Sequence, residues 1–230
     1  STSSYPYAGG IAGVNSGSIT NCYNTGEVSD NSQSSAAFAG GIAGYNHGEG
    51  NIKNCYNTGV SVSYYNTGGI AGKNDGSITN CYNTGTVTAL STSSYSSSYA
   101  GGITGYNVLG AISNCYNTGE VSSTSSNSDV GGIVGHGYDG NITNCYNIGE
   151  VSANSSSSVA DAGGIAGGVD GTIRNCYWMT GTKNDFYGTE KTEEAFQNGE
   201  VTELLNAGLA EPAWKQDPYV INHKYPILVW

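Results

Sequence analysis

Charge is scarce in this 230-residue chain. Only 11% of its residues are charged, 7 Lys or Arg against 18 Asp or Glu, for a net charge of −11. Residues 1–178 carry only three basic side chains, Lys53, Lys73 and Arg174. No basic stripe exists, which argues against nucleic acid and anionic membrane surfaces as partners. Prolines number 4 and no strict Gly-X-Y period runs through the chain, so it reads as neither a proline-rich linker nor collagen. No apolar run approaches ~18 residues, so no membrane span is expected. The three histidines, His47, His136 and His223, lie in no His-Glu-x-x-His motif, and no Gly-x-Ser-x-Gly occurs. Cys-x-x-Cys is missing as well, which leaves no ready tetrahedral metal site. No cofactor, metal or catalytic residue is therefore expected, and the chain reads as a non-enzyme.

Glycine, in contrast, is abundant at 36 residues, and its placement is periodic. Gly-Gly-Ile occurs six times, beginning at Gly9, Gly40, Gly68, Gly101, Gly131 and Gly163. Each copy is followed by Asn-Cys-Tyr, whose cysteines are Cys22, Cys55, Cys81, Cys115, Cys145 and Cys176. The distance from the first glycine to its cysteine is 13 to 15 residues, whereas that from cysteine to the next Gly-Gly runs from 13 to 20. The first half of the unit is therefore structure and the second half holds a variable loop. Cysteines recur after 33, 26, 34, 30 and 31 residues, a length that suits one coil of a solenoid.

Within the unit the apolar residues alternate in short runs rich in β-branched side chains, and no helical spacing appears before residue 178. Three short strands per coil are expected: one with Gly-Gly-Ile-x-Gly, one with Ile-x-Asn-Cys-Tyr, and one with the valine after Asn-Thr-Gly. A lone coil has too few apolar side chains to offset the entropy of ordering it, so coils must stack, about 4.8 Å apart. Stacking turns each repeated residue into a ladder. Ile11, Ile42, Ile70, Ile103, Ile133 and Ile165 form one inward row. The asparagines Asn21, Asn54, Asn80, Asn114, Asn144 and Asn175 form another, suited to left-handed corners and amide bonding between coils. Asn24 and its equivalents behave alike, and a third set (Asn15, Asn46, Asn74, Asn107) fades out and is given a weaker corner role. The cysteines form a row of buried thiols, with disulfides between adjacent coils as the open alternative.

The expected fold is thus all-β, a parallel β-solenoid of about six coils over residues 1–182, closed by a small α+β cap over residues 183–230. In the latter, Thr192 suits an N-cap, Gly199 and Gly208 suit helix stops, and Tyr225-Pro226-Ile227-Leu228-Val229-Trp230 suits an apolar strand. That segment is expected to plug the last coil, with Ile227, Leu228, Val229 and Trp230 as the alternative docking strand for another subunit. Tyrosines Tyr23, Tyr56, Tyr82, Tyr116, Tyr146 and Tyr177 form a ladder that stabilises the stack and offers a binding stripe, while Tyr45, Tyr95, Tyr106 and Tyr138 lie near loops. Asp75, Asp139 and Asp170 each precede glycine; turn chemistry explains them better than an aligned acidic site. Asn141 and Asn154 head N-glycan sequons, and serines 122–128 and 155–158 suit O-glycans.

The unit resembles the GLUG repeat of bacterial surface and secreted proteins. The resemblance rests on Gly10-Ile11-Ala12-Gly13 with its copies Gly41-Ile42-Ala43-Gly44, Gly69-Ile70-Ala71-Gly72, Gly102-Ile103-Thr104-Gly105, Gly132-Ile133-Val134-Gly135 and Gly164-Ile165-Ala166-Gly167, continued by Ile-x-Asn-Cys-Tyr-Asn-Thr-Gly. It implies an extracellular or cell-surface β-solenoid without settled molecular activity. The combined expectation is a non-catalytic extracellular structural protein, a spacer or a filament subunit associating head-to-tail with itself or with cell-surface components. The alternative is an adhesin-type module that binds glycan or host protein through the tyrosine ladder or the serine-rich loops.

Overall fold

The computed structural model describes residues 5–32, 34, 36–91, 97–153, 161–179, 181, 187–218 and 224–230. Asn154, serines 155–158, Tyr95 and His223 lie outside the described residues.

The chain winds into a parallel β-solenoid of five complete coils and a partial sixth. Each of the first four coils contains five short extended segments rather than the three expected. In the second coil they are Phe38–Gly40, Ala43–Asn46, Asn51–Lys53, Tyr56–Asn57 and Ser61–Ser63. Two features account for the extra breaks. The asparagine of Ile-x-Asn-Cys-Tyr adopts the left-handed conformation in all six copies, with φ between 49° and 55°, and ends one strand before the tyrosine starts the next. Asparagine tolerates that region better than other side chains. The Gly-Gly pair likewise forms a bend between two strands. A Cβ on Gly41 would lie 2.3 Å from the carbonyl oxygen of Gly69 and 2.4 Å from Cγ of Asn57, so the bend admits no side chain.

Equivalent strands of successive coils pair in register. Tyr7 faces Phe38, Ile19 faces Ile52, Tyr23 faces Tyr56, and Ser61 lies between Val28 and Val87. Four parallel sheets run along the stack. In the fifth coil the second and third strands merge into Val134–Thr143, and in the sixth into Ala166–Arg174.

Two cores lie between the sheets. The larger holds the isoleucine, alanine and cysteine rows, in which Ile42, Ile70, Ile103 and Ile133 are fully buried. Ile11, the first rung, is 47% exposed because no coil covers it on one side. The smaller core is built from Val87, Ala89, Ala100, Val121, Val130 and Val151.

Asparagine amides tie the coils together. Nδ2 of Asn24 donates to Oδ1 of Asn57 at 2.8 Å, and the relay continues through Asn83 and Asn117 to Asn147. The third asparagine set is stronger than its fading sequence pattern suggests. Asn46, Asn74 and Asn107 are fully buried, and the row from Asn15 to Asn107 is linked at 2.7–2.8 Å. A buried amide needs all its partners, and the stack supplies them only when like meets like.

The segment after residue 178 does more than plug the stack. Trp178 takes the place of the ladder asparagine, opposite Asn147, and packs in the main core. Thr189–Lys191 then adds one parallel strand beside Tyr177–Met179. From there the chain turns back along the side of the solenoid through helices α1 (Glu193–Gln197) and α2 (Glu200–Asn206). The Thr192 hydroxyl caps α1 by accepting the Ala195 N–H, and Gly199 separates the helices at φ 96°. The final apolar strand, Pro226–Leu228, pairs antiparallel with Trp214–Gln216 of the same chain. Ile227 and Leu228 thus serve this fold-back rather than stand free as a docking strand.

Candidate functional site

The tyrosine row runs down one side of the stack. Tyr23, Tyr56, Tyr82, Tyr116 and Tyr146 lie face to face, with ring centroids 4.8–5.1 Å apart and planes within 8° of parallel. The neighbours along the axis cover the ring faces, so the outer surface of the row consists of ring edges and hydroxyls.

The fold-back covers one half of the row. Phe196 and Trp214 approach Tyr146 at 5.5 and 5.4 Å, the Tyr146 hydroxyl donates to the Pro226 carbonyl at 2.6 Å, and Tyr116, Tyr146 and Tyr177 are buried with Val201 and Leu205. Burial raises the Tyr116 phenol well above its ordinary range, and raises Tyr82 in the same direction. Tyr23 is 58% exposed and Tyr56 and Tyr82 are half-buried. Beside them the Asn-Thr-Gly corners place Thr25, Thr58 and Thr84 in an exposed parallel row, since residues two apart in an extended chain share a face.

Where the covered half meets the open half, a cleft of about 390 Å³ is lined by Thr58, Tyr82, Thr84, Tyr116, Ile227, Leu228 and Trp230. Trp230 is 50% exposed and leans on Tyr82, centroid to centroid 6.1 Å. Val229 is 47% exposed next to it. No lining residue bears a charged side chain.

The six cysteines are free thiols in one row. Cys55 to Cys145 are fully buried, and each thiol donates to the carbonyl two residues before it, as Cys145 does to Thr143 at 3.2 Å. Burial pushes Cys115, Cys145 and Cys176 well above the usual thiol range. Only Cys22, on the first rung, is partly exposed. Asn141 is exposed on Val134–Thr143. The glycine-preceding aspartates do not line up: Asp170 pairs in register with Tyr138, and Asp139 sits one residue further on in the left-handed conformation. Among the described residues no group of three or more His, Cys, Asp or Glu is placed to hold a metal ion.

A second cluster joins unlike residues of neighbouring coils. The Tyr45 phenol donates to Asp75, and Lys73 lies 3.1 Å from Asp75 and 4.5 Å above the Tyr45 ring. Two coils on, Nδ1 of His136 lies 2.6 Å from Asp129, and the imidazole stacks on Tyr99 at 4.8 Å. Tyr45, Lys73, Tyr106 and His136 occupy one register column. A column of unlike residues leaves no repeat signal. Its only sequence trace is that bulky polar side chains follow the invariant glycine of Gly-Ile-x-Gly.

The family model of the GLUG motif matches residues 4–29, 39–63, 63–88, 96–122 and 126–152, more than half of the chain. The chain belongs to the GLUG family. Each match begins near a Gly-Gly bend and ends near the strand after Asn-Thr-Gly, so one GLUG motif corresponds to one coil of the stack. The crystal structure of a "putative immunoglobulin A1 protease" from Bacteroides ovatus is similar to this GLUG chain, with 29% identity and a TM-score of 0.66. The likeness covers 98% of this chain and 72% of that one. It therefore takes in the fold-back as well as the GLUG coils. No curated protein matches the chain in sequence. Among the described residues no helix is long and apolar enough to cross a membrane.

Proposed function

We propose that this GLUG protein is a non-catalytic structural module of the bacterial cell surface, a stiff spacer. The observation that carries this reading is the uninterrupted register: isoleucine, cysteine, asparagine and tyrosine rows all bond or pack along one axis. Each coil is then held by its neighbours through many weak contacts that must break together. The thiols support a non-catalytic role, because Cys115, Cys145 and Cys176, pushed up by burial, lack the thiolate a nucleophile needs. Head-to-tail filament growth has less support than spacing, since Trp178 stands where an incoming coil would need the ladder asparagine.

A second reading is recognition through the open half of the tyrosine face, favoured by the uncharged cleft beside Trp230. One experiment separates the two. Tyr56→Ala, Thr84→Val and Trp230→Ala together leave a spacer working at the surface of the producing cell, whereas they abolish attachment if the face recognises a partner. Loss of surface display by a stably folded variant lacking one whole coil supports neither reading and overturns the spacer.

A further inference from the structure

Three exposed rungs of the tyrosine face carry six hydroxyls for which no hydrogen bond is found among the described residues: those of Tyr23, Tyr56, Tyr82, Thr25, Thr58 and Thr84. Register sets them in two rows parallel to the solenoid axis. The tyrosine rungs are 5.1 and 4.9 Å apart, and the threonines follow the same backbone pairing, with Thr58 N–H on the Asn24 carbonyl and Thr84 N–H on the Asn57 carbonyl. At the end of the rows the exposed indole of Trp230 closes the cleft.

We infer that this face binds an extended, uncharged, equatorially linked glycan lying along the solenoid axis, one sugar residue per rung. The inference rests on the recognition reading and names its ligand class. Three observations select the occupant. The periodicity is that of the stack: one pyranose residue of a β-1,4-linked chain advances by about one rung, so a sugar hydroxyl reaches every rung, and because successive residues are turned over the same contacts recur at every second one. A hydroxyl both donates and accepts, which suits another hydroxyl and does not call for a charge. The site carries no cation, and the chain is strongly acidic at −11, which disfavours anionic polymers. Trp230 supplies a flat apolar face for the terminal sugar ring. A peptide strand would instead look for unpaired backbone groups, and here the backbone is already paired from coil to coil.

Titration calorimetry with cello- and chito-oligosaccharides of two to six residues tests the inference. Affinity should rise roughly fivefold with each added residue, as one net hydrogen-bonded rung is gained. It should level off after three or four residues, where the fold-back covers Tyr116. Malto-oligosaccharides, whose α-linked chain curls off the axis, and oligogalacturonates, which are anionic, should bind at least tenfold more weakly. Thr58→Val and Thr84→Val, both exposed and compatible with the fold, should each weaken binding severalfold. Affinity independent of chain length, or unchanged in both valine variants, overturns the inference. If no oligosaccharide binds while Tyr56→Ala and Trp230→Ala still abolish attachment to cells, the glycan inference falls and recognition of another partner stands. If attachment is unchanged too, both fall.

Discussion

Asn83 is the most demanding test of the ladder argument. Its side chain is fully buried, and Nδ2 donates to the Gly85 carbonyl at 2.7 Å and to Oδ1 of Asn117 at 2.8 Å. Its Oδ1 accepts from Nδ2 of Asn57 at 2.9 Å and from the Gly85 N–H at 3.3 Å. Asn83→Ala removes all four bonds. Asn57 retains its bond to Gly59, and Asn117 still accepts from Gly119, so their losses are partial. Both polar groups of Gly85, in contrast, lose their side-chain partner in a buried corner. At ~1 kcal/mol per net bond, and 1–3 kcal/mol for a group left unpaired, the cost is about 3–5 kcal/mol. Asn24→Ala is the internal control. That residue sits on the first rung, partly open to water; it donates to Gly26 and Asn57 and accepts from the Gly26 N–H, and water can take the place of these partners, so its loss costs about 1 kcal/mol. Urea denaturation followed by circular dichroism measures both, with hydrogen exchange to show where the opening starts. Equal costs for the two variants would refute the claim that the ladder acts as a bonded relay rather than as a series of separate corners.

Other expectations concern the bend, the thiols and the fold-back. Gly41→Ala should cost about 3 kcal/mol or more through overlap with Gly69 and Asn57, whereas Gly17→Ala, where a Cβ meets nothing within 4 Å, should stay within about 0.5 kcal/mol, both by thermal melting. Under native conditions one thiol, Cys22, should react with Ellman's reagent well before the others; a second equally fast thiol would contradict the burial of the row. Because burial raises Cys115, Cys145 and Cys176 above the ordinary thiol value of 9.0, the unfolded chain ionises first as pH rises. The stability linked to them is complete below pH 9.0 and drains above it, so the melting temperature should fall from about pH 9 upward; a flat profile to pH 11 would contradict this. Phe196→Ala should cost about 3–5 kcal/mol in the fold-back and shift Trp214 emission to the red, with the coils' circular dichroism retained.

What repeats was readable in the sequence, and what does not repeat was largely hidden. The isoleucine and asparagine rows follow from recurrence alone, because stacking places each residue on its own copy. The number of strands per coil was misjudged because Ile-x-Asn-Cys-Tyr looks continuous; the left-handed asparagine inside it is a conformational break that hydrophobic pattern does not register. The fold-back was half visible. Its helices follow from Thr192 and Gly199, but its destination does not, since the tyrosines it covers are identical in type to those it leaves open. One sign was present: Trp178 breaks Asn-Cys-Tyr-Asn at the sixth copy, where the stack ends. The Tyr45–Lys73–Asp75 and His136–Asp129 contacts join unlike residues from different coils, which only the register brings together.

The fold-back lies beside the third to sixth coils, from Trp230 against Tyr82 to the neighbourhood of Tyr177. It therefore acts as a ruler of fixed length laid against that part of the stack. Duplication of a coil ahead of Tyr82 would lengthen the protein and add a rung without disturbing any of these contacts. The same duplication between Tyr82 and Tyr177 would carry Tyr146 away from Pro226 by one strand spacing, about 4.8 Å, and break the match. Growth of this chain by coil duplication is therefore accommodated ahead of Tyr82 and opposed beside the fold-back.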